Sequence, residues 1–220
     1  EEEEEEEEPG TEPSDPNDWD WHTPDDAGKV IDDEEEEGDN GKEVENLSDD
    51  TASDFAVDTE LPADGTEVTW DIKIKEHPEE GFVCFGIFPR SLVKELDTQN
   101  VPHFKKSVAG CTDLTYYNGG DNANDDNSDK TGDLEEGQDS VDVVYTVTYK
   151  VGELTIENKA NPETFKITFT TETSVVYVPW IEIFGKGKVH TGPTTEEDSE
   201  PHSGKIVKDD AEPLSGQITK

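Results

Sequence analysis

The sequence predicts an all-β fold, a two-sheet antiparallel sandwich, and three observations carry that prediction. Residues 81–88, GFVCFGIF, place Phe82, Cys84 and Phe88 on one face and Val83, Phe85 and Ile87 on the other. Neither face suits water, so such a strand belongs in the middle of a packed β structure. Residues 68–75 alternate Val68, Trp70, Ile72 and Ile74 with Thr69, Asp71, Lys73 and Lys75, the pattern of a strand with one buried and one wet face. Elsewhere short apolar alternations are separated by Gly, Pro and Asn turns, with almost no helical periodicity.

The 220 residues carry a net charge of -41, distributed unevenly. The first 60 residues hold 28 acidic and 2 basic side chains. Such a segment buries too little apolar surface to offset its backbone entropy, and residues 1–52 read as a disordered acidic arm. Within it DWDWH, residues 18–22, is unusual: Trp19 and Trp21 suit a short motif that docks on a partner or folds back on the domain.

Ordered sequence is expected from residue 53 to 190. Phe55, Val57 and Leu61 open it, and the EHPEEG turn, with Pro78 and Gly81, joins the two diagnostic strands as a hairpin. Residues 89–96 suit a single short helix or turn opened by Pro89. Residues 101–109 and 112–117 read as strands, the second ended by Asn118-Gly119-Gly120. Residues 118–140 form a long polar insertion, and loops of that length are usually functional or disordered. Residues 141–149, 153–158, 165–170 and 175–184 alternate cleanly again. Pro179 cannot donate to a ladder, which places the last of these at an edge or a bulge. Residues 191–220 read as an acidic extension, with 204–207 as one candidate terminal strand.

No window of about 18 apolar residues exists, so no membrane span is expected, and no apolar signal-peptide core opens the chain. A chain without methionine that begins inside an acidic run suggests a piece of a longer protein. Clustered Lys and Arg are missing, which disfavours nucleic acid as a partner. Cys84 and Cys111 are too few for a disulfide framework. Cys84 reads as a buried free thiol, and a reduced intracellular protein, cytoplasmic or nuclear, is expected. The triplet Asn46-Leu47-Ser48 is a glycosylation-type signal that points weakly the other way.

Catalytic and metal signatures do not assemble. The five histidines are scattered without zinc-site spacing, and no nucleophile elbow or phosphate loop is present, so no cofactor is expected. Asp125, Asn127, Asp129 and Glu136 have the spacing of a Ca²⁺ loop, but Lys130 replaces the glycine of the sharp turn. A solvated acidic loop is the better reading. Glu182 lacks a same-strand carboxylate for glycosidase chemistry and reads as an exposed charge on an edge strand.

Several segments, taken in order, resemble the SPRY/B30.2 family of concanavalin A-like sandwiches. They are TWDIKI (69–74), CFGIF (84–88), YYNGG (116–120), DSVDVVYTVTYKVGELTIEN (139–158) and YVPWIEIFGKGKV (177–189). The resemblance implies a SPRY/jelly-roll-like sandwich that is not an enzyme and that captures a peptide or protein with loops at one end, as part of a larger scaffold or adaptor. Loops 89–111 and 118–140 are the expected surface, with Arg90, Tyr116, Tyr117, Asn118 and Trp180 as ligand-binding candidates. For Trp180 a core position is the better reading. The acidic charge predicts a basic or neutral partner. The alternative is a carbohydrate-binding or glycosidase sandwich of the same architecture.

Overall fold

The two diagnostic alternations become strands of two different sheets in a computed structural model. It describes residues 15–32, 41–96, 106–112, 116–118, 121–122 and 134–194. In chain order the strands are β1 (Trp21–His22), β2 (Gly28–Asp32), β3 (Lys42–Asn46), β4 (Ala52–Val57), β5 (Val68–Glu76), β6 (Phe82–Pro89) and β7 (Val108–Cys111). They continue as β8 (Tyr116–Asn118), β9 (Asp121–Asn122), β10 (Val144–Lys150), β11 (Glu153–Asn158), β12 (Lys166–Thr170), β13 (Tyr177–Phe184) and β14 (Gly187–Pro193). The first sheet has the order β1-β4-β13-β6-β7-β8-β9 and the second β12-β11-β10-β5-β14-β3-β2. Every pairing is antiparallel, so the all-β two-sheet sandwich is what forms.

Alternation explains the division. β5 buries Trp70, Ile72 and Ile74 against the first sheet and turns Thr69 and Lys73 outward. That outer face is polar, and hydroxyls meet across it in register, Thr69 with Thr148 at 3.3 Å and Thr155 with Thr168 at 3.1 Å. β6 is apolar on both faces because it has a layer on each side. Val83, Phe85 and Ile87 join the inter-sheet core with Phe55, Tyr145, Ile181 and Ile183. Cys84 and Phe88 join a second cluster with Ala56, Val178 and Trp180, which Val93 and Leu96 cover from the 3-10 turn Arg90–Glu95 and its end. Each fully buried side chain of this size contributes roughly 1.5–3 kcal/mol.

Several expectations change. β5 and β6 are not a hairpin: β5 pairs with β10 and β14, and β6 with β13 and β7. The EHPEEG turn therefore crosses between sheets, since a one-faced and a two-faced strand suit different layers. β13 is central, not an edge, flanked by β4 and β6. Pro179 is accommodated because the β4 ladder runs only from Phe184↔Ala52 to Trp180↔Ala56 and stops one residue short of it.

The ordered domain also starts earlier than residue 53. Residues 15–32 and 41–52 build the 3-10 turn Pro16–Asp18 and strands β1, β2 and β3. Acid dominates their composition, but Trp19, Trp21, Val44 and Asn46 are buried and supply the anchors. The tryptophan pair thus folds back on the domain. β14 extends to Pro193, past the expected boundary at 190; residues 1–14, 33–40 and 195–220, with the candidate strand at 204–207, lie outside the described residues.

The cysteines are not free: Cys84 and Cys111 stand directly opposite on β6 and β7 and form a disulfide. The premise of the intracellular expectation is thereby removed. The sequon residue Asn46 is fully buried.

Candidate functional site

Three turns converge at the end of the sandwich where β4 and β6 begin: residues 47–51, 77–81 and 185–186. They surround a cleft of about 410 Å³ lined by Asp49, Asp50, Glu76, His77, Glu79, Glu80 and Lys186. Five carboxylates thus face one ammonium group.

The turns are held by named interactions. Asn46 Nδ2 donates to the carbonyl oxygens of Thr51 at 2.7 Å and Ile183 at 3.0 Å. Its Oδ1 accepts from Ser48 N and Ser53 Oγ, both at 3.1 Å. One side chain therefore fixes the turn that carries Asp49 and Asp50 to β13. Gly81 and Gly187 are where they are because backbone approaches closely: a Cβ at Gly81 would collide with the Phe184 carbonyl oxygen, and one at Gly187 would meet Glu76 O at 2.9 Å. Pro78 is wedged against Gly185 and Gly187.

His77 forms a buried part of the wall. Its Nδ1 lies 2.7 Å from the Pro78 carbonyl oxygen and its Nε2 lies 2.9 Å from Thr112 Oγ1. A carbonyl only accepts, so Nδ1 carries the proton and Nε2 accepts from the Thr112 hydroxyl. Thr112 Oγ1 in turn accepts from Val83 N at 3.1 Å. Burial pushes the imidazole pKa below its ordinary value, against the opposing effect of the Pro78 bond. A neutral His77 does not offset the carboxylates. Among the described residues no group of three or more His, Cys, Asp or Glu is arranged to hold a metal ion. What the cleft suits is a cationic group entering from outside, because a concave wall of one sign concentrates the field.

The residues expected from the sequence lie elsewhere. Arg90 is at the opposite end, just after β6, where its backbone N donates to Val176 O at 2.8 Å and its guanidinium is 3.8 Å from Asp58. That ion pair is 39% and 71% exposed and contributes little. Asn118 shares this end, since Asn118, Val108 and Ile87 are in register across β8, β7 and β6. Tyr116 and Tyr117 pair with Gly110 and Ala109 further along β8. Trp180 takes the core position and is not on the binding surface for which it was a candidate. It is 1% exposed, donates Nε1 to Asp54 Oδ1 at 2.8 Å and stacks on Phe88. A central strand leaves no route for it to a rim.

Glu182 is also buried, opposite Asp54 and Cys84, and not an exposed edge charge. Asp125, Asn127 and Asp129 lie outside the described residues, and Glu136 is exposed before the 3-10 turn Gly137–Ser140. The sequence signal for the cleft was present as EHPEE and SDD, each of which reads alone as a polar turn.

No protein-family model matches the chain, and no curated protein does. Among solved structures it is similar to the SPRY domain of human HERC1, with TM-score 0.49 and 14% identity over 77% of this chain and 96% of that one. It is also similar to carbohydrate-binding module CBM66 from Bacillus subtilis, at TM-score 0.41 and 13% identity over 78% and 94%. Alginate lyase AlyC3 gives TM-score 0.41 and 11% identity over 70% and 73%. The likeness is one of architecture, the two-sheet antiparallel sandwich that the strand pairing already shows. It carries nothing about what the chain binds.

Proposed function

We propose that this chain is a non-enzymatic interaction module that takes a basic segment of a protein partner into its acidic cleft, within a larger scaffold or adaptor. The observation that supports this reading is the convergence of Asp49, Asp50, Glu76, Glu79 and Glu80 on one concavity of a rigid sandwich. Turns fixed on a rigid scaffold are suited to recognition. The site is built for Lys or Arg side chains, which a carboxylate wall attracts at long range and pairs with at short range. Leu47, 53% exposed on the turn that carries Asp49, offers an apolar contact nearby in sequence.

The test is the binding of a Lys/Arg-rich peptide to the chain and to its Glu79→Lys/Glu80→Lys variant. Charge reversal on the wall should weaken binding about tenfold or more, and Arg90→Glu at the opposite end should leave it unchanged. Equal binding by both variants would place the partner away from the cleft, and retention on a glycan array without peptide binding would turn the reading to a carbohydrate-binding sandwich.

A further inference from the structure

We infer that residues 15–22 form a strap that opens and closes independently of the sandwich, with the strap's own tryptophans as occupants of the mouth between the sheets. Trp19 and Trp21 are 2% and 4% exposed. Trp19 sits edge-on to Trp70 of β5 at 5.2 Å and to Trp21 at 6.4 Å. The 3-10 turn Pro16–Asp18 rests on β5 and β14, while β1 belongs to the other sheet. The strap therefore bridges the two sheets at their open side.

Among the described residues, the indole rings in the core and a short ladder hold it there. β1 is outermost in its sheet and is joined to β4 by two residue pairs, Trp21↔Val57 and His22↔Ala56. Among the described residues, Trp19 Nε1 and His22 Nδ1 are buried without a hydrogen-bond partner. Buried donors and acceptors left unmet weaken docking.

The chain just after the strap is anchored separately. Asp25 Oδ2 accepts from Asp54 N at 2.8 Å, Gly28 N donates to Asp25 O at 3.0 Å, and Leu47 N donates to Ala27 O at 3.0 Å. The strap can leave from Thr23 while β2, β3 and β4 stay in place. Its acids alternate outward, Asp18 and Asp20 being exposed on either side of Trp19. Opening uncovers Trp70 and Val57, an apolar mouth that recognises a Trp-bearing segment, with this chain's own strap as the cis occupant. Such low-stability units are what regulated surfaces are drawn from.

Native-state amide exchange on the full chain tests this. Trp21 and His22 amides should exchange at least 100-fold faster than those of Ile72 and Ile181, through an opening with a smaller denaturant dependence than global unfolding. Exchange of Trp21 and His22 only with global unfolding overturns the inference. A Trp19→Ala/Trp21→Ala variant should keep the protected β5 and β13 amides and bind a synthetic peptide of residues 14–23 in trans. A variant that unfolds, or one that folds without binding the peptide, overturns it too.

Discussion

Lys159 reaches across β10 to place its ammonium 2.7 Å from Asp71 Oδ2 on β5, with both side chains under 10% exposed. The other carboxylate oxygen accepts from Thr146 Oγ1 at 2.9 Å and Thr194 Oγ1 at 3.4 Å. Asp71 thus ties β5 to β10, to the residue after β11 and to the segment after β14 on the outer face of the second sheet. Removing one partner of a buried pair strands the other charge and costs about 3–5 kcal/mol. Asp71→Ala should lower the denaturation midpoint accordingly, and an unchanged midpoint in urea would contradict this role.

His77 sets a pH dependence. Burial holds its folded pKa below the ordinary value, so the unfolded chain binds the proton more readily. Stability from this group is fully present above the ordinary histidine pKa, about 6.5. It is lost as pH falls through the folded pKa. Thermal denaturation at pH 7.5 and pH 5.5 should show a larger loss for the native sequence than for His77→Gln. Equal losses would mean that protonation of His77 is not coupled to folding.

The disulfide joins residues directly opposite on β6 and β7, and β7 carries β8 and β9 at the side of the sheet. Its cysteines are 27 positions apart in sequence, and the segment it closes includes Arg90. A bridge of this kind contributes about 2–4 kcal/mol. A non-reducing peptide map should recover the Cys84–Cys111 link, and Cys84→Ala/Cys111→Ala should be less stable by about that amount. Two titratable thiols in the native protein would count against it.

The faces of the strands were legible in the sequence, and the neighbours of those strands were not. β11 spans the residues 153–158 that alternation marks, and the inward residues of β5, β6 and β10 are the ones that parity assigns. Parity says nothing about which strand lies alongside, so the β5–β6 crossover and the central place of β13 were not readable. β1, β2 and β3 were hidden because windows dominated by acid are held by a few anchors such as Trp19 and Val44. The cleft escaped for a related reason: residues 49–50, 76–80 and 186 meet only after the sheets are packed.

Asn46 shows the same limit at one residue. As sequence it is the acceptor of a glycosylation triplet, and as structure both hydrogens of its amide are used inside the fold. Expression through a glycosylating secretory pathway should yield native protein with an unmodified Asn46 mass. Asn46→Ala should cost about 2 kcal/mol or more, since it leaves buried carbonyls unmet. A glycan on Asn46 of folded protein would contradict the clasp.

The most direct test of the central claim is the affinity of the full chain for a Lys/Arg-rich peptide, measured by calorimetry at low and at high salt. Capture by the carboxylate cleft predicts measurable binding that weakens steeply as salt rises and is lost in Glu79→Lys/Glu80→Lys. Binding that is indifferent to both salt and charge reversal would show that the cleft is not where this protein meets its partner.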